Sequence, residues 1–269
     1  MKKSILVVYN PQKKDVEKVL KLLKKRLNKY DLKFCSSLKV TKEICVGDLL
    51  ITVGGDGTLL KVGHYATENS VPVLGINLGR LGYLAEFKIN EVFSVIDKFF
   101  NGEITPQKRG VLRVEFKNKF YYAINDCVIR TLSAKVCSIE LVIDDKKIVE
   151  IIGDGIIVAT PTGSTAYSLA SGGSIVEPET EVLLITPISP HTLSMRPIVI
   201  SSNKRIELYI PEFKSNKDLL LSLDGQRDFK LKQTDKVIIS SSEKKLLFIS
   251  NPKKSFFDIL TQKLSWGKR

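Results

Sequence analysis

The sequence predicts two architectures in succession, a Rossmann-like α/β domain and then a β-sandwich-like domain, so the class is α/β + β. Three observations predict it. Up to about residue 100, short apolar runs of β-formers alternate with stretches of helical periodicity. From residue 112 to about 250 the texture changes to closely spaced β-rich runs with turn residues between them. Within the first pattern stands Asp48-Leu49-Leu50-Ile51-Thr52-Val53-Gly54-Gly55-Asp56-Gly57-Thr58, with Leu59, Leu60, Val62 and Ala66 following at helical spacing. That is a strand, a tight turn and a helix, the geometry in which α/β proteins hold ligands.

Taken in order, residues 4–9 read as a buried strand closed by Asn10-Pro11. Val16, Val19, Leu20, Leu23 and Leu27 make an amphipathic helix to about Lys29. Residues 32–35, 49–53 and 71–76 are further strands, and residues 90–100 a helix with Asn90 as N-cap and Gly102 just past its end. In the β-rich part, runs are expected at 112–116, 120–130, 138–143, 156–159, 182–185, 206–210, 219–223, 236–240 and 246–249. The tail, residues 256–264, reads as a helix that packs back on the first domain. The expected divisions are 1–105 for the α/β domain carrying GGDGT, 106–250 for the β-rich domain, and 251–269 for the returning tail.

Composition excludes several classes. At 269 residues, with 43% apolar and 26% charged side chains, the chain has enough material for full cores. Cys35, Cys45, Cys127 and Cys137 form no C-x-x-C, and with only His64 and His191 beside them a zinc site is not expected. Met1-Lys2-Lys3 precedes an apolar run too short for a signal peptide, and no run reaches the length of a membrane span. A cytoplasmic protein with reduced thiols and no membrane partner is expected. The net charge of +13 invites a nucleic-acid reading. The lysines are scattered, however, and no stripe interleaves aromatic with basic residues, so no nucleic-acid partner is expected. A solvated lysine face, or a field suited to small polyanions, accounts for the charge.

Some stretches hold residue types that structure alone would not choose. In Gly54-Gly55-Asp56-Gly57 the glycines clear space for a phosphate at a helix start, while the carboxylate would repel one. It needs a task such as metal binding or proton abstraction, the alternative being a tight turn with a solvated Asp. In Ala123-Ile124-Asn125-Asp126-Cys127, an amide and a carboxylate adjoin within an apolar strand, so at least one faces inward or lies at a kink. A ligand or a structural hydrogen-bonded pair explains them. Gly153-Asp154-Gly155 leads through an apolar run into Thr160-Pro161-Thr162-Gly163-Ser164-Thr165-Ala166-Tyr167-Ser168, with a short helix expected from Ser164 or Thr165. Its hydroxyls and N–H groups suit the phosphate or ribose of a nucleotide, with a base against Tyr167. The stretch 186–197, with Pro187, Pro190 and Pro197, reads as rigid turn chemistry between strands, His191 stays unassigned, and Leu223-Asp224-Gly225-Gln226 reads as a strand-end turn whose Gln reaches a ligand.

The order GGDGT, NLGRLGYL, IND, GDGIIVATPTGSTAYSLASGG, TPISPHTLSMRP and DGQ resembles that of the NAD kinases across nearly the whole chain. GGDGT is shared with diacylglycerol and sphingosine kinases, but the TPTGSTAYS and PHTLSMRP blocks are much more specific. The resemblance implies transfer of a phosphoryl group from ATP to the adenosine ribose 2′-hydroxyl of NAD, giving NADP, with Mg²⁺ or another divalent ion whose protein ligands it leaves unknown. It implies Asp56 as general base, Gly54 and Gly55 on the ATP phosphates, and Asp56, Gly57 and Lys61 on the dinucleotide. It further implies that Asn125 and Asp126 hold adenine and ribose groups, and that Asp154 serves the nicotinamide side, across a subunit interface. Thr165, Ala166, Tyr167, Ser168, Leu169 and Ala170 would line the site, with Gln226 near it and Tyr83 against the adenine. A homodimer or homotetramer is implied, and polyphosphate stays open as a second donor. Two departures are Ile152, where many relatives carry a basic residue, and the order Ala170-Ser171. The rival readings are a lipid kinase sharing GGDGT and a non-catalytic nucleotide-binding protein.

Overall fold

A computed structural model describes residues 2–79, 81–213 and 218–265; Arg80, inside the NLGRLGYL stretch, lies outside the described residues. The chain divides into two compact units, Met1–Arg109 with Lys244–Arg269, and Gly110–Glu243. Among the described residues no helix is long and apolar enough to cross a membrane.

The first unit begins with β1 (Ser4–Tyr9), α1 (Val16–Arg26), β2 (Asp31–Ser36), β3 (Leu49–Gly54), α2 (Asp56–Glu68), β4 (Val73–Asn77), α3 (Val92–Phe100) and β5 (Gln107–Arg109). The apolar spacing of α1 buries Val16, Val19 and Leu23, and Lys24, Lys25 and Arg26 complement the negative end of its dipole. These residues share one core with Ile5, Val7, Leu49, Ile51, Leu74 and Ile76 of the strands and with Val92, Val95 and Ile96 of α3. The helix expected from Asn90 starts later. The Glu91 carboxylate folds back to accept the Lys88 N–H at 2.7 Å, which winds Ile89–Glu91 into a 3₁₀ turn, so Asn90 lies inside that turn and caps nothing.

The second unit contains β6 (Leu112–Phe116), β7 (Lys119–Ala123), β8 (Asp126–Thr131), β9 (Cys137–Ile143), β10 (Lys146–Gly153), β11 (Gly155–Ala159), α4 (Tyr167–Ala170), β12 (Val182–Ile188), β13 (Ile198–Ser201), β14 (Ile206–Tyr209), β15 (Leu219–Leu223), β16 (Arg227–Leu231) and β17 (Lys236–Ser241). They form two six-stranded antiparallel sheets, ordered β10-β9-β14-β17-β6-β7 and β13-β12-β11-β8-β15-β16. The inward residues of both sheets, among them Val114, Leu141, Leu208 and Ile239 of one and Ile129, Val158, Ile185 and Leu221 of the other, make one apolar core, so the unit is a β-sandwich. Two expectations change here. The run 120–130 is broken at Ile124-Asn125, and Thr186-Pro187-Ile188 continues β12 instead of turning, pairing with Gly155–Ile157. Beyond Ile185, β13 no longer flanks β12, so the missing N–H of Pro187 lies where the strand has one neighbour.

The chain then returns with β18 (Leu246–Phe248) and α5 (Phe256–Leu264). β18, expected in the β-rich domain, belongs to the first sheet. It inserts parallel to β4 and antiparallel to β5, completing the order β2-β1-β3-β4-β18-β5. α2 packs over β3, β4 and β18. α5 starts at a Ser255–Asp258 capping box and, as expected of the tail, belongs to the first unit.

Because Phe248 is fully buried in this inserted strand, with the Arg109 guanidinium 5.0 Å from its ring centroid, it should hold the unit together. Phe248→Ala is expected to cost about 3–5 kcal/mol in urea unfolding. Truncating Phe257, 53% exposed on α5, should change stability by no more than about 0.5 kcal/mol.

Candidate functional site

The first unit builds its site at the end of β3, which is buried along its whole length. Gly55, in extended backbone, turns the chain directly into α2, whose first residue is Asp56. The Asp56 carboxylate does not cap its own helix. It receives the segment after β4: Oδ2 accepts the N–H of Tyr83 at 2.9 Å, and Oδ1 accepts those of Leu84 at 3.0 Å and Ala85 at 2.8 Å. Only a glycine at 82 permits this approach, since a Cβ there would lie 1.9 Å from Asp56 Oδ1. The Lys263 ammonium, from α5, stands 3.7 Å from Asp56 Oδ2 and 4.3 Å over the Tyr83 ring.

Asp56 opens on a cavity of about 880 Å³ also lined by Tyr83, Lys88, Glu91, Lys254 and Lys263. The Tyr83 hydroxyl is buried and has no hydrogen-bond partner, and burial, helped by the Asp56 charge, raises its pKa. Behind the cavity, Glu86 is buried and accepts the Asn251 N–H at 2.7 Å; burial pushes its carboxyl up to about 7. Of the glycines of this turn, Gly55 and Gly57 face open space. A Cβ on Gly54 would instead lie 2.2 Å from Thr58 Oγ1, so packing alone requires that glycine. Lys61 is half-buried on α2 and does not line this cavity.

The second unit builds its site where β7 breaks into β8. The cause of the break is Asp224, which sequence reasoning passed over in favour of Gln226. Its Oδ2 accepts the N–H of Ile124 at 2.8 Å, and its Oδ1 accepts those of Asn125 at 2.7 Å and Asp126 at 3.1 Å. Asp224 and Gly225, with φ of 54° and 60°, form the tight turn joining β15 to β16, which the Asp-Gly pair itself signals. The loop after β11 is laid on the same place. Thr160 donates its N–H to the Asn125 carbonyl at 2.9 Å and its hydroxyl to that of Ile124 at 2.6 Å. At Gly163 a Cβ would lie 2.1 Å from the Asn125 carbonyl oxygen. The helix expected from Ser164 or Thr165 is a 3₁₀ turn, Thr162–Thr165, followed by the single turn of α4.

A cavity of about 430 Å³ results, lined by Asn125, Asp126, Arg130, Ala166, Tyr167 and Asp224 among others. Burial pushes the Asp126 carboxyl up to about 7, with the Asp224 charge adding to it, and burial pushes Asp224 up to about 6 against its three N–H donors. Asn125 Oδ1 and Thr162 Oγ1 are buried without a partner. A polar atom so placed costs about 1–3 kcal/mol, which a ligand can recover.

Not every expected residue comes to this cavity. The Ser168 hydroxyl is buried against that of Thr186 at 2.9 Å, and Thr165 Oγ1 lies 3.4 Å from the Thr162 carbonyl. Leu169, Ala170 and Gln226 lie outside the lining, and Gln226 turns its amide to the Asp224 carbonyl at 3.5 Å. Ile152, within β10, and Asp154, on the link between β10 and β11, are exposed and line neither cavity. Among the described residues, no three His, Cys, Asp or Glu side chains cluster as a metal cage.

Comparison with known proteins agrees with both halves. Residues 40–104 match the ATP-NAD kinase N-terminal domain and residues 124–251 the ATP-NAD kinase C-terminal domain. The NAD kinase of Aquifex aeolicus is 39% identical, with 99% of this chain and 100% of the relative covered. That of Fusobacterium nucleatum is 35% identical, with 97% of each covered. Among solved structures, an NAD kinase from Archaeoglobus fulgidus in complex with ATP superposes with a TM-score of 0.80 at 25% identity, covering 96% of this chain and 99% of that one. Yeast NADH kinase complexed with NADH shares the fold, with a TM-score of 0.83 at 23% identity over 99% of this chain and 89% of that one. With two domain models and near-full-length relatives in agreement, this chain belongs to the NAD kinase family.

Proposed function

We propose that the chain transfers the γ-phosphoryl group of ATP to the adenosine ribose 2′-hydroxyl of NAD, with Asp56 as the general base. The observation that carries the reading is the Asp56 carboxylate, fixed at the start of α2 and open to a basic cavity. A carboxylate offers about four lone-pair sites. Three are taken by the N–H groups of Tyr83, Leu84 and Ala85, and the remaining one is on Oδ2, which takes the hydroxyl proton in this reading. The 2′-oxygen attacks the γ-phosphorus as Asp56 takes its proton; the bond to the β-phosphate oxygen breaks, and ADP leaves with that electron pair. The first N–H groups of α2 and the open space at Gly55 and Gly57 suit the phosphates, and Lys61 is assigned to the dinucleotide. A divalent ion, Mg²⁺ in this reading, would neutralise phosphate charge and would be held mainly by the donor's phosphates, since Mg²⁺ needs few protein ligands beside them.

Asn125 and Asp126 take the adenine and ribose groups. The orphaned Asn125 Oδ1 supports this, because an exocyclic amine or a hydroxyl would satisfy it. Asp126, carrying a proton near neutrality, can donate as well as accept. Tyr83, Tyr167 and the backbone from Thr165 to Ala170 belong to the same reading, with Gln226 beside them. Asp154, exposed, is assigned to the nicotinamide side in a homodimer or homotetramer, within a cytoplasm suited to four free thiols.

Incubated with NAD, ATP and Mg²⁺, the protein is expected to form NADP, read with an NADP-specific dehydrogenase. EDTA should stop the reaction, and rate per chain should fall on dilution as the assembly dissociates. No NADP with any phosphoryl donor contradicts the reading. Asp126 and Asp224 bind protons more tightly folded than unfolded, so the stability they confer is full below pH about 4. It is lost as pH rises through about 6 and about 7. In thermal melts of ligand-free protein, Asp126→Asn should therefore gain on wild type between pH 4 and pH 8; a constant difference contradicts the raised proton affinity.

A further inference from the structure

Asp56 Oδ2 has a second claimant. The oxygen with the free lone pair is also the one nearest the Lys263 ammonium, at 3.7 Å. Lys263 comes from the last turn of α5, far from GGDGT in the chain, and the side chains of Lys263 and Asp56 are 27% and 30% exposed. The ammonium is thus accessible from the cavity and held between a carboxylate and the Tyr83 ring, whose hydroxyl lacks a partner. Two other lysines face the same cavity. Lys254 donates to the Glu86 carbonyl at 3.0 Å and lies 3.7 Å from Glu91, so it is already engaged. Lys88 is exposed at the rim. Against three ammonium groups the lining sets two carboxylates, Asp56 and Glu91, leaving an excess of positive charge beside the proposed base.

We infer that Lys263 is a positioning residue of the donor site, which exchanges its contact with Asp56 for a phosphate oxygen of ATP when the donor binds. This rests on the kinase reading and adds to it a residue that GGDGT does not contain. In the absence of donor, the ammonium sits against Oδ2, where the acceptor hydroxyl has to bring its proton. A phosphate carries more charge than a carboxylate and accepts from a rotating ammonium at many oxygens, so a bound triphosphate draws Lys263 off Asp56. Two results follow from one movement: the donor gains a charge-assisted hydrogen bond, and the base gains its free lone pair. The base is therefore cleared when there is a phosphoryl group to transfer.

The test uses the full chain with Lys263→Met, which keeps the apolar stem over Tyr83 and removes the charge. Its KM for ATP should rise about tenfold or more, the value of a hydrogen bond to a charged group, while its KM for NAD is unchanged. Lys263→Arg, which keeps the charge, should recover most of the loss, and Lys253→Ala, an exposed lysine outside the cavity, should behave as wild type. A merely structural Lys263 would alter both KM values or only the melting temperature. ATP binding by equilibrium dialysis without NAD separates the two ideas. If wild type makes NADP and Lys263→Met keeps its affinity for ATP, the inference is overturned and the kinase reading stands. If wild type makes no NADP, the kinase reading fails, and equal ATP affinity of wild type and Lys263→Met overturns the inference separately.

Discussion

Both units fix their working turn by the same interaction: one carboxylate receiving three successive backbone N–H groups. In the first, Asp56 gathers Tyr83, Leu84 and Ala85; in the second, Asp224 gathers Ile124, Asn125 and Asp126. Hydrogen bonds to a charged acceptor contribute about 1.5–3 kcal/mol each, enough to hold a backbone out of a strand ladder. Asp224 on the N–H groups, and Thr160 on the Ile124 and Asn125 carbonyls, together keep the apolar run from 120 to 130 from continuing as one strand. Asp56 fastens the segment after β4 over the start of α2, adding to the backbone bonds from the Leu78 N–H to the Gly54 carbonyl and from the Asn77 N–H to the Phe87 carbonyl. The two sites differ in what the carboxylate does next. Asp224 is buried and spends itself on the backbone, whereas Asp56 stays partly exposed and keeps a lone pair for chemistry.

Much of this was legible in the sequence because it is local. The switch from strand–helix alternation to closely spaced strands marks the two architectures. The three glycines after Val53 mark a strand-turn-helix, and each falls where a period of 2 or 3.6 carries the signal. What the sequence hid depends on distant partners. Asp224 acts on residues about 100 positions away, so its turn could be read but not its target. β18 reads as one more strand of the β-rich series until its neighbours are known, because only the returning chain places it between β4 and β5. β10 and β16 are sheet edges that carry charged residues, and their burial is too intermittent for the apolar pattern to register. Motif order named the Thr165–Ala170 stretch, yet it does not separate Tyr167, which faces a cavity, from Ser168, which bonds Thr186.

The strong positive charge divides in the same way. Lys13, Lys14, Lys18, Lys21, Lys24 and Lys25 lie on or just before α1, outside both cavities, and serve solubility. Lys88 lies far in the chain from Lys254 and Lys263, and the three meet beside Asp56. A basic composition thus said little about function, while the placing of three lysines says which end of the first unit favours a polyanion.

The central claim is that Asp56 takes the proton of the acceptor hydroxyl. Asp56→Asn keeps the size of the side chain and one carbonyl acceptor but removes the base. The decisive measurement is single-turnover NADP formation by this variant at saturating NAD, ATP and Mg²⁺, with folding checked by circular dichroism and ATP binding by dialysis. The account predicts a loss of about 10²-fold or more in the rate of the chemical step, with the nucleotide still bound. A folded variant that binds ATP and turns over at the wild-type rate would contradict it, leaving Asp56 as the clamp on Tyr83, Leu84 and Ala85 and nothing more.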